Sequence, residues 1–161
     1  MPDLTQADLR LLRQAVELSR RSPRGHTYAV GAVIADAEHR VLATGYTRET
    51  GPADHAEEVA LAKLAADDPR LATATIYTSL EPCSVRLSRP RSCTDLILAS
   101  GIPRVVFAWR EPELIVVCEG AERLTAAGRT VIEVPELAPR VREINADVLR
   151  VLETVEPSRD V

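Results

Sequence analysis

A histidine, a glutamate and two cysteines between residues 55 and 93 are the side chains of this sequence best suited to do chemistry together. His55-Ala56-Glu57 comes first, Pro82-Cys83 follows, and nine residues separate Cys83 from Cys93. One imidazole and two thiolates suit zinc, and three protein ligands leave a fourth tetrahedral position for water, the pattern of catalytic rather than structural sites. Zinc lowers the pKa of such a water from 15.7 to about 7. Glu57, two residues after His55, projects in a different direction and can reach the water without binding the metal. It is the candidate proton shuttle. A His-x-Glu tripeptide alone means little, since it occurs by chance on many helix faces. The two cysteines and their strand-loop-helix setting carry the assignment of His55, Cys83 and Cys93 as zinc ligands and Glu57 as catalytic acid and base. A structural zinc site or inert buried thiols would leave Glu57 without a purpose.

The elements that must hold these groups can be read from pattern. His55 to about Ala66 is rich in Ala, Glu, Leu and Lys and predicts a helix with His55 in its first turn. Thr75 to Leu80 is a short β-branched strand, Glu81 to Arg91 a loop, and Ser92 an N-cap for a helix from Cys93 to Ser100, stopped by Gly101. Two helix N-termini would then converge on the metal and favour thiolate over thiol. Upstream, Thr5 and Asp8 open an amphipathic helix that carries Leu9, Leu12, Ala15 and Val16 on one face to about Arg21. Val30 to Ala35 and Arg40 to Tyr46 form a hairpin across Asp36-Ala37-Glu38-His39, with His39 solvated in the turn. Downstream come a strand at Arg104 to Trp109, a helix at Glu119 to Ala127, a strand at Arg129 to Val134 and a last helix at Leu137 to Glu153. This order predicts a three-layer α/β/α sandwich on a mixed sheet of about five strands.

At 161 residues, 45% hydrophobic and 27% charged, the chain is expected to form one soluble domain over residues 1–153 with a frayed tail over 154–161. A net charge of −4 disfavours nucleic acid, whose binding draws on Lys and Arg, and points to a small-molecule substrate. The N-terminus has no apolar signal segment and no run is long enough to span a bilayer, so a cytoplasmic location is expected. Three cysteines without a secretory signal suit metal ligands better than disulfides, and Cys118 is left over as a partly buried apolar residue.

His-x-Glu followed by Pro-Cys and a second Cys resembles the zinc-dependent nucleobase and nucleoside deaminases. Val30-Gly31-Ala32-Val33-Ile34, Gly45-Tyr46, His55-Ala56-Glu57, Leu80-Glu81-Pro82-Cys83-Ser84 and Cys93 through Gly101 follow the order of the deaminase domain of the bifunctional riboflavin-biosynthesis deaminase/reductase, over about residues 5–135. The resemblance implies a cytidine-deaminase-like sandwich, a zinc cofactor and a homodimer or larger homo-oligomer. It further implies that the backbone at Ala56 and around Ser79 and Leu80 orients a substrate ring. No reductase activity is expected, because the chain ends at Val161. Three departures stand out. The cysteine spacing is one residue longer than that family's, Leu87-Ser88-Arg89-Pro90-Arg91-Ser92 replaces its Gly-Arg-Thr-Pro-Pro, and His26-Thr27-Tyr28 replaces its Pro-Asn-Pro.

These departures fall where substrate would be read. His26 and Thr27 are candidates to line the pocket. Trp109 ends a strand at the edge where α/β sheets bind ligands, so it either stacks on a heterocycle or packs in the core, and Glu111 or Glu113 beyond it would hydrogen-bond a ring N–H. Arg86, Arg89 and Arg91 either hold a substrate phosphate or form a solvated basic loop. With both family segments missing, the expectation is hydrolytic deamination of a free base or small aminated heterocycle. The alternatives are the riboflavin-pathway diaminopyrimidine ribotide and a zinc-stabilised binding module without turnover. Editing of tRNA is disfavoured, since the C-x-x-C spacing of tRNA adenosine deaminases is absent.

Overall fold

The computed structural model describes residues 3–25, 27–86, 88–110, 112 and 118–154. Thr5 begins the first helix, α1 (Gln6–Leu18): its hydroxyl accepts the Asp8 N–H at 3.1 Å, while the Asp8 carboxylate accepts the Thr5 N–H at 2.8 Å. Strands β1 (Gly31–Ala35) and β2 (Val41–Tyr46) form the hairpin, with His39 in the left-handed region of its turn at φ 63°. Asp36 Oδ1 holds the turn by accepting the N–H groups of Glu38 and Arg40, each at 2.9 Å. Then follow α2 (Ala56–Ala62), β3 (Thr75–Leu80), α3 (Cys93–Ser100), β4 (Arg104–Trp109), α4 (Gly120–Ala126), β5 (Thr130–Glu133), α5 (Ala138–Ile144) and α6 (Ala146–Thr154). No helix among the described residues is long and apolar enough to cross a membrane.

The sheet is mixed and five-stranded in the order β2-β1-β3-β4-β5. Strand β1 runs antiparallel to both neighbours, and β3, β4 and β5 run parallel. Helix α1 packs against β1, β3 and β4 on one face, joined by α5, and α2 packs against β1 and β2 on the other, beside α3 and α4. The molecule is the α/β/α sandwich that its pattern predicts.

Register decides what each face presents. Directly paired residues share a face, so Gly45, Ala32 and Thr78 lie together under α2, and Tyr77 turns to α1. Gly45 lets the helix come close, because a Cβ there would stand 2.3 Å from the Ala56 carbonyl oxygen. The first turn of α2 thus rests directly on β2.

On the opposite face, the fully buried Asp8 accepts hydrogen bonds from Tyr77 Oη (2.6 Å) and from both terminal nitrogens of Arg104 (2.7 and 2.8 Å). Burial opposes the charge on Asp8, but Arg104, Tyr77 and Thr5 together hold its carboxyl well below the ordinary carboxylate range. A depressed carboxylate pKa adds stability that is complete above the unfolded-state value near 3.9 and is lost as pH falls through the folded one. Asp8→Ala, which strands Arg104, should cost about 3 kcal/mol in urea unfolding at pH 7. A loss under about 1 kcal/mol would remove this triad from the stabilising core.

Two helices differ from their sequence expectation. Helix α2 stops at Ala62 rather than Ala66: Lys63 is its C-cap, with its backbone N–H turned to the Ala60 and Leu61 carbonyls and its ammonium on the Thr44 carbonyl (2.7 Å) and the Glu49 carboxylate (2.5 Å). The single helix expected from Leu137 to Glu153 is two helices meeting at Asn145. The buried Asn145 amide accepts the Ala29 N–H at 2.7 Å and donates to the Ala29 and Val141 carbonyls at 3.2 and 3.0 Å. It thereby fixes the segment that enters β1. Of the tail expected to fray, Thr154 closes α6 and residues 155–161 lie outside the described residues.

Candidate active site and metal centre

The parallel strands β3 and β4 end beside the N-termini of α2 and α3, and the candidate chemistry gathers there. His55 is the N-cap of α2 rather than a member of its first turn, in extended conformation, and its N–H donates to Glu58 Oε1 at 3.3 Å. Cys93 is the first residue of α3, behind the Ser92 N-cap, whose hydroxyl accepts the Asp95 N–H at 3.1 Å. The Cys93 N–H donates to Cys83 Sγ at 3.3 Å, so a helix N-terminus faces a thiolate. The loop from 81 to 92 joins the two sulfurs.

His55 Nδ1 stands 3.6 Å from Cys83 Sγ and 3.3 Å from Cys93 Sγ, and the three ligand atoms lie within 4.8 Å of one another. Bonds of about 2.3 Å to sulfur and 2.0–2.1 Å to nitrogen at tetrahedral angles would place nitrogen and sulfur about 3.6 Å apart. The donor set therefore fits zinc in both chemistry and spacing. The contact between the two sulfurs, with the imidazole of His55, lowers the pKa of the Cys83 thiol, whereas the same contact and burial push Cys93 up. Burial disfavours a charged His55, yet the Cys83 hydrogen bond and the Glu57 charge raise its pKa.

Glu57 is only 3% exposed, and burial, reinforced by the charge of Cys83, raises its pKa above the ordinary carboxyl range. The Thr78 hydroxyl lies 2.7 Å from Glu57 Oε1 and 3.0 Å from the Leu80 carbonyl oxygen. A hydroxyl has one proton and two acceptor sites, so it can donate to an ionised Glu57, or accept from a protonated one while donating to Leu80. Glu57 is thus held in position in either state.

A cavity of about 400 Å³ opens over His55, Glu57 and Cys83, with Thr27, Leu80 and Arg48 among its walls. A second groove of about 360 Å³ between α2 and α3 is lined by Leu61, Leu64 and Leu96 and holds none of these groups. Ala56, the first residue of α2, is buried, and Ser79 accepts the Gly31 N–H at 3.0 Å, tying β1 to β3. Trp109 is buried edge-on against Tyr28, 5.9 Å between ring centres, and is not among the residues lining the cavity. His26, Glu111 and Glu113 lie outside the described residues.

The arginine loop is held down by acids that sequence reasoning did not single out. Arg86, its side chain 3% exposed, donates to the Ala53 carbonyl at 2.5 Å and lies 3.2 Å from Glu58 Oε1; Arg89 meets Asp54 at 2.8 Å. Arg91 is exposed. Arg123 secures the other flank through the Ser84 carbonyl (3.1 Å) and Asp95 (2.6 Å). Glu81, which precedes the Pro-Cys pair, is buried and accepts the Ala121 N–H of α4 at 3.0 Å. Gly120 allows that approach, since a Cβ there would stand 2.0 Å from the Pro82 carbonyl oxygen. Cys118 Sγ reaches the same carbonyl at 3.3 Å.

Residues 5–109, which include all of these ligands, match the cytidine and deoxycytidylate deaminase zinc-binding region. The chain belongs to the cytidine and deoxycytidylate deaminase family. Among curated relatives of this deaminase, the diaminohydroxyphosphoribosylamino-pyrimidine deaminase of Schizosaccharomyces pombe is 40% identical over 125 residues, 76% of this chain and 31% of the relative. Riboflavin biosynthesis protein RibD of Aquifex aeolicus is 33% identical over 147 residues, 89% of this chain and 39% of the relative. The deaminase spans between three and four tenths of the length of these relatives. Among solved structures, Acinetobacter baumannii RibD aligns with a TM-score of 0.79 at 25% identity, covering 92% of this chain and 41% of that one. A C-terminal deletion mutant of Aspergillus oryzae Rib2 deaminase aligns with a TM-score of 0.73 at 26% identity, over 91% and 99%. His55, Cys83 and Cys93 are the residues that fit the zinc of this family.

Proposed function

We propose that this deaminase hydrolyses the amino group of a phosphoribosylated diaminopyrimidine, releasing ammonia. The observation that carries the proposal is 40% identity over 76% of the chain to the fission yeast diaminohydroxyphosphoribosylamino-pyrimidine deaminase. It outweighs the free-base preference, which rested on two missing loop segments. Loops tolerate replacement when the scaffold under them is retained.

Zinc held by His55, Cys83 and Cys93 would supply a water acidic enough to ionise near neutral pH. Glu57, buried and steadied by Thr78, takes a proton from the attacking water and delivers it to the ring nitrogen beside the carbon under attack. The water oxygen bonds to that carbon. Glu57 then carries the second proton to the departing amine, the carbon–nitrogen bond breaks, and ammonia leaves with a carbonyl in its place. Leu80 and Thr27 border the cavity beside this exchange and are the proposed ring contacts. Self-association into a homodimer or larger homo-oligomer, which the resemblance implies, belongs to the same proposal.

Ammonia release by the zinc-loaded protein tests the assignment. The diaminopyrimidine ribotide should give a kcat/KM at least about tenfold above cytosine, cytidine and deoxycytidylate. A free base turned over faster than the ribotide would restore the free-base reading.

A further inference from the structure

Within the cavity over Glu57, Arg48 is a cation that the proposed chemistry leaves without a role. It sits in the turn between β2 and α2, where its N–H donates to the Asp54 carbonyl at 2.8 Å, and its backbone is left-handed at φ 63°. A bulky residue adopts that conformation only where the surrounding structure sustains it. Replacement by glycine would relieve it, yet the position carries the longest cation available. Its guanidinium lies beside Gly25, where a Cβ would stand 2.5 Å from Arg48 Nη1.

Arg86 and Arg89 of the ligand loop are paired with acids and Arg48 is not. Arg86 is matched to Glu58, and Arg89 to Asp54 and Glu58. No ion pair joins Arg48 to any described residue, although it is half-buried at the cavity wall. A guanidinium partly withdrawn from water and without a carboxylate, on a residue that lines a cavity, is an arrangement that gains most from an anionic ligand. The cavity, at about 400 Å³, is roomier than one heterocycle requires.

We propose that Arg48 is the phosphate anchor of this site, holding the phosphate monoester of the substrate while the ring lies over Glu57. The proposal rests on the ribotide reading above and names the residue that enforces it. It assigns a different function to the loop arginines: Arg86 and Arg89 hold the ligand loop to α2, and Arg48 meets the substrate.

Binding and turnover separate the two claims. Calorimetric titration of the zinc-loaded protein with ribose 5-phosphate, and separately with inorganic phosphate, reads the anchor without any chemistry. Arg48→Ala should weaken ribose 5-phosphate binding at least about tenfold and Arg48→Lys less, while Arg91→Ala leaves it unchanged. In ammonia release, Arg48→Ala should raise KM for the ribotide by about 10–100-fold and shift kcat/KM for the dephosphorylated riboside less than about twofold. The proposal is overturned if the wild type binds neither probe, if Arg48→Ala binds ribose 5-phosphate as the wild type does, or if Arg91→Ala rather than Arg48→Ala abolishes binding. Equal losses on ribotide and riboside would also overturn it. A wild type that binds ribose 5-phosphate through Arg48 but releases no ammonia from the ribotide keeps the anchor and rejects the ribotide reading.

Discussion

Replacing Glu57 with glutamine should lower kcat by about 10²–10⁴-fold and leave the metal in place, the largest loss of turnover expected from one conservative change in this molecule. The argument is geometric. Glu57 is not among the three atoms that fit zinc, so its amide does not disturb the donor set. Glutamine fills the same volume under α2 and still meets Thr78, so the fold has no reason to change. What it lacks is an oxygen that can take up a proton and return it. The two readings separate in one preparation: zinc by elemental analysis should match the wild type, and ammonia release should be nearly gone. Unaltered turnover in a zinc-replete Glu57→Gln protein would show that the proton travels by another route.

The site residues were legible in the sequence because their chemistry is local. A His-x-Glu at a helix start and cysteines bracketing a loop state their ligand set in one dimension, and Ser92 announces the helix that aims Cys93. In any strand over Thr75–Leu80 the neighbours Tyr77 and Thr78 face opposite ways. Which of them meets Glu57 depends on the β1–β3 register, and that is set by pairing between residues 40 to 46 positions apart in sequence. The arginine loop was open for the same reason. Asp54 and Glu58 flank His55 in plain view, but their pairing with Arg89 and Arg86 exists only once the loop folds back over α2. Arg48 carries no motif at all, and its place at the cavity follows from a left-handed turn that sequence pattern does not encode. The division of the last helix at Asn145 is likewise a tertiary effect, since its amide serves Ala29 on the far side of the sheet entry.

Removing a ligand should have the other large effect, and it should fall on metal and activity rather than on the fold. The protein as purified should hold about one zinc per chain, and Cys83→Ala, Cys93→Ala and His55→Ala should each bring this close to zero with no measurable ammonia release. A structural zinc would also take the fold with it, as in small domains that cannot bury enough surface without a metal. This chain is differently built: its core of Leu11, Leu12, Ile34, Ile76, Val105 and Val106 lies along the sheet, and none of the five strands contains a metal ligand. Chelation should therefore lower Tm by the linkage term for a bound ligand, leaving a cooperative unfolding transition in the zinc-free protein. Cys93→Ala is the severest of the three, because its sulfur is fully buried and its loss leaves a void as well as an absent ligand. Cys83→Ala, at a half-buried position, separates the two effects. If Cys83→Ala retains full zinc, the ligand assignment is wrong. If it loses zinc and unfolds outright at 25 °C, the metal is structural and Glu57 needs another explanation.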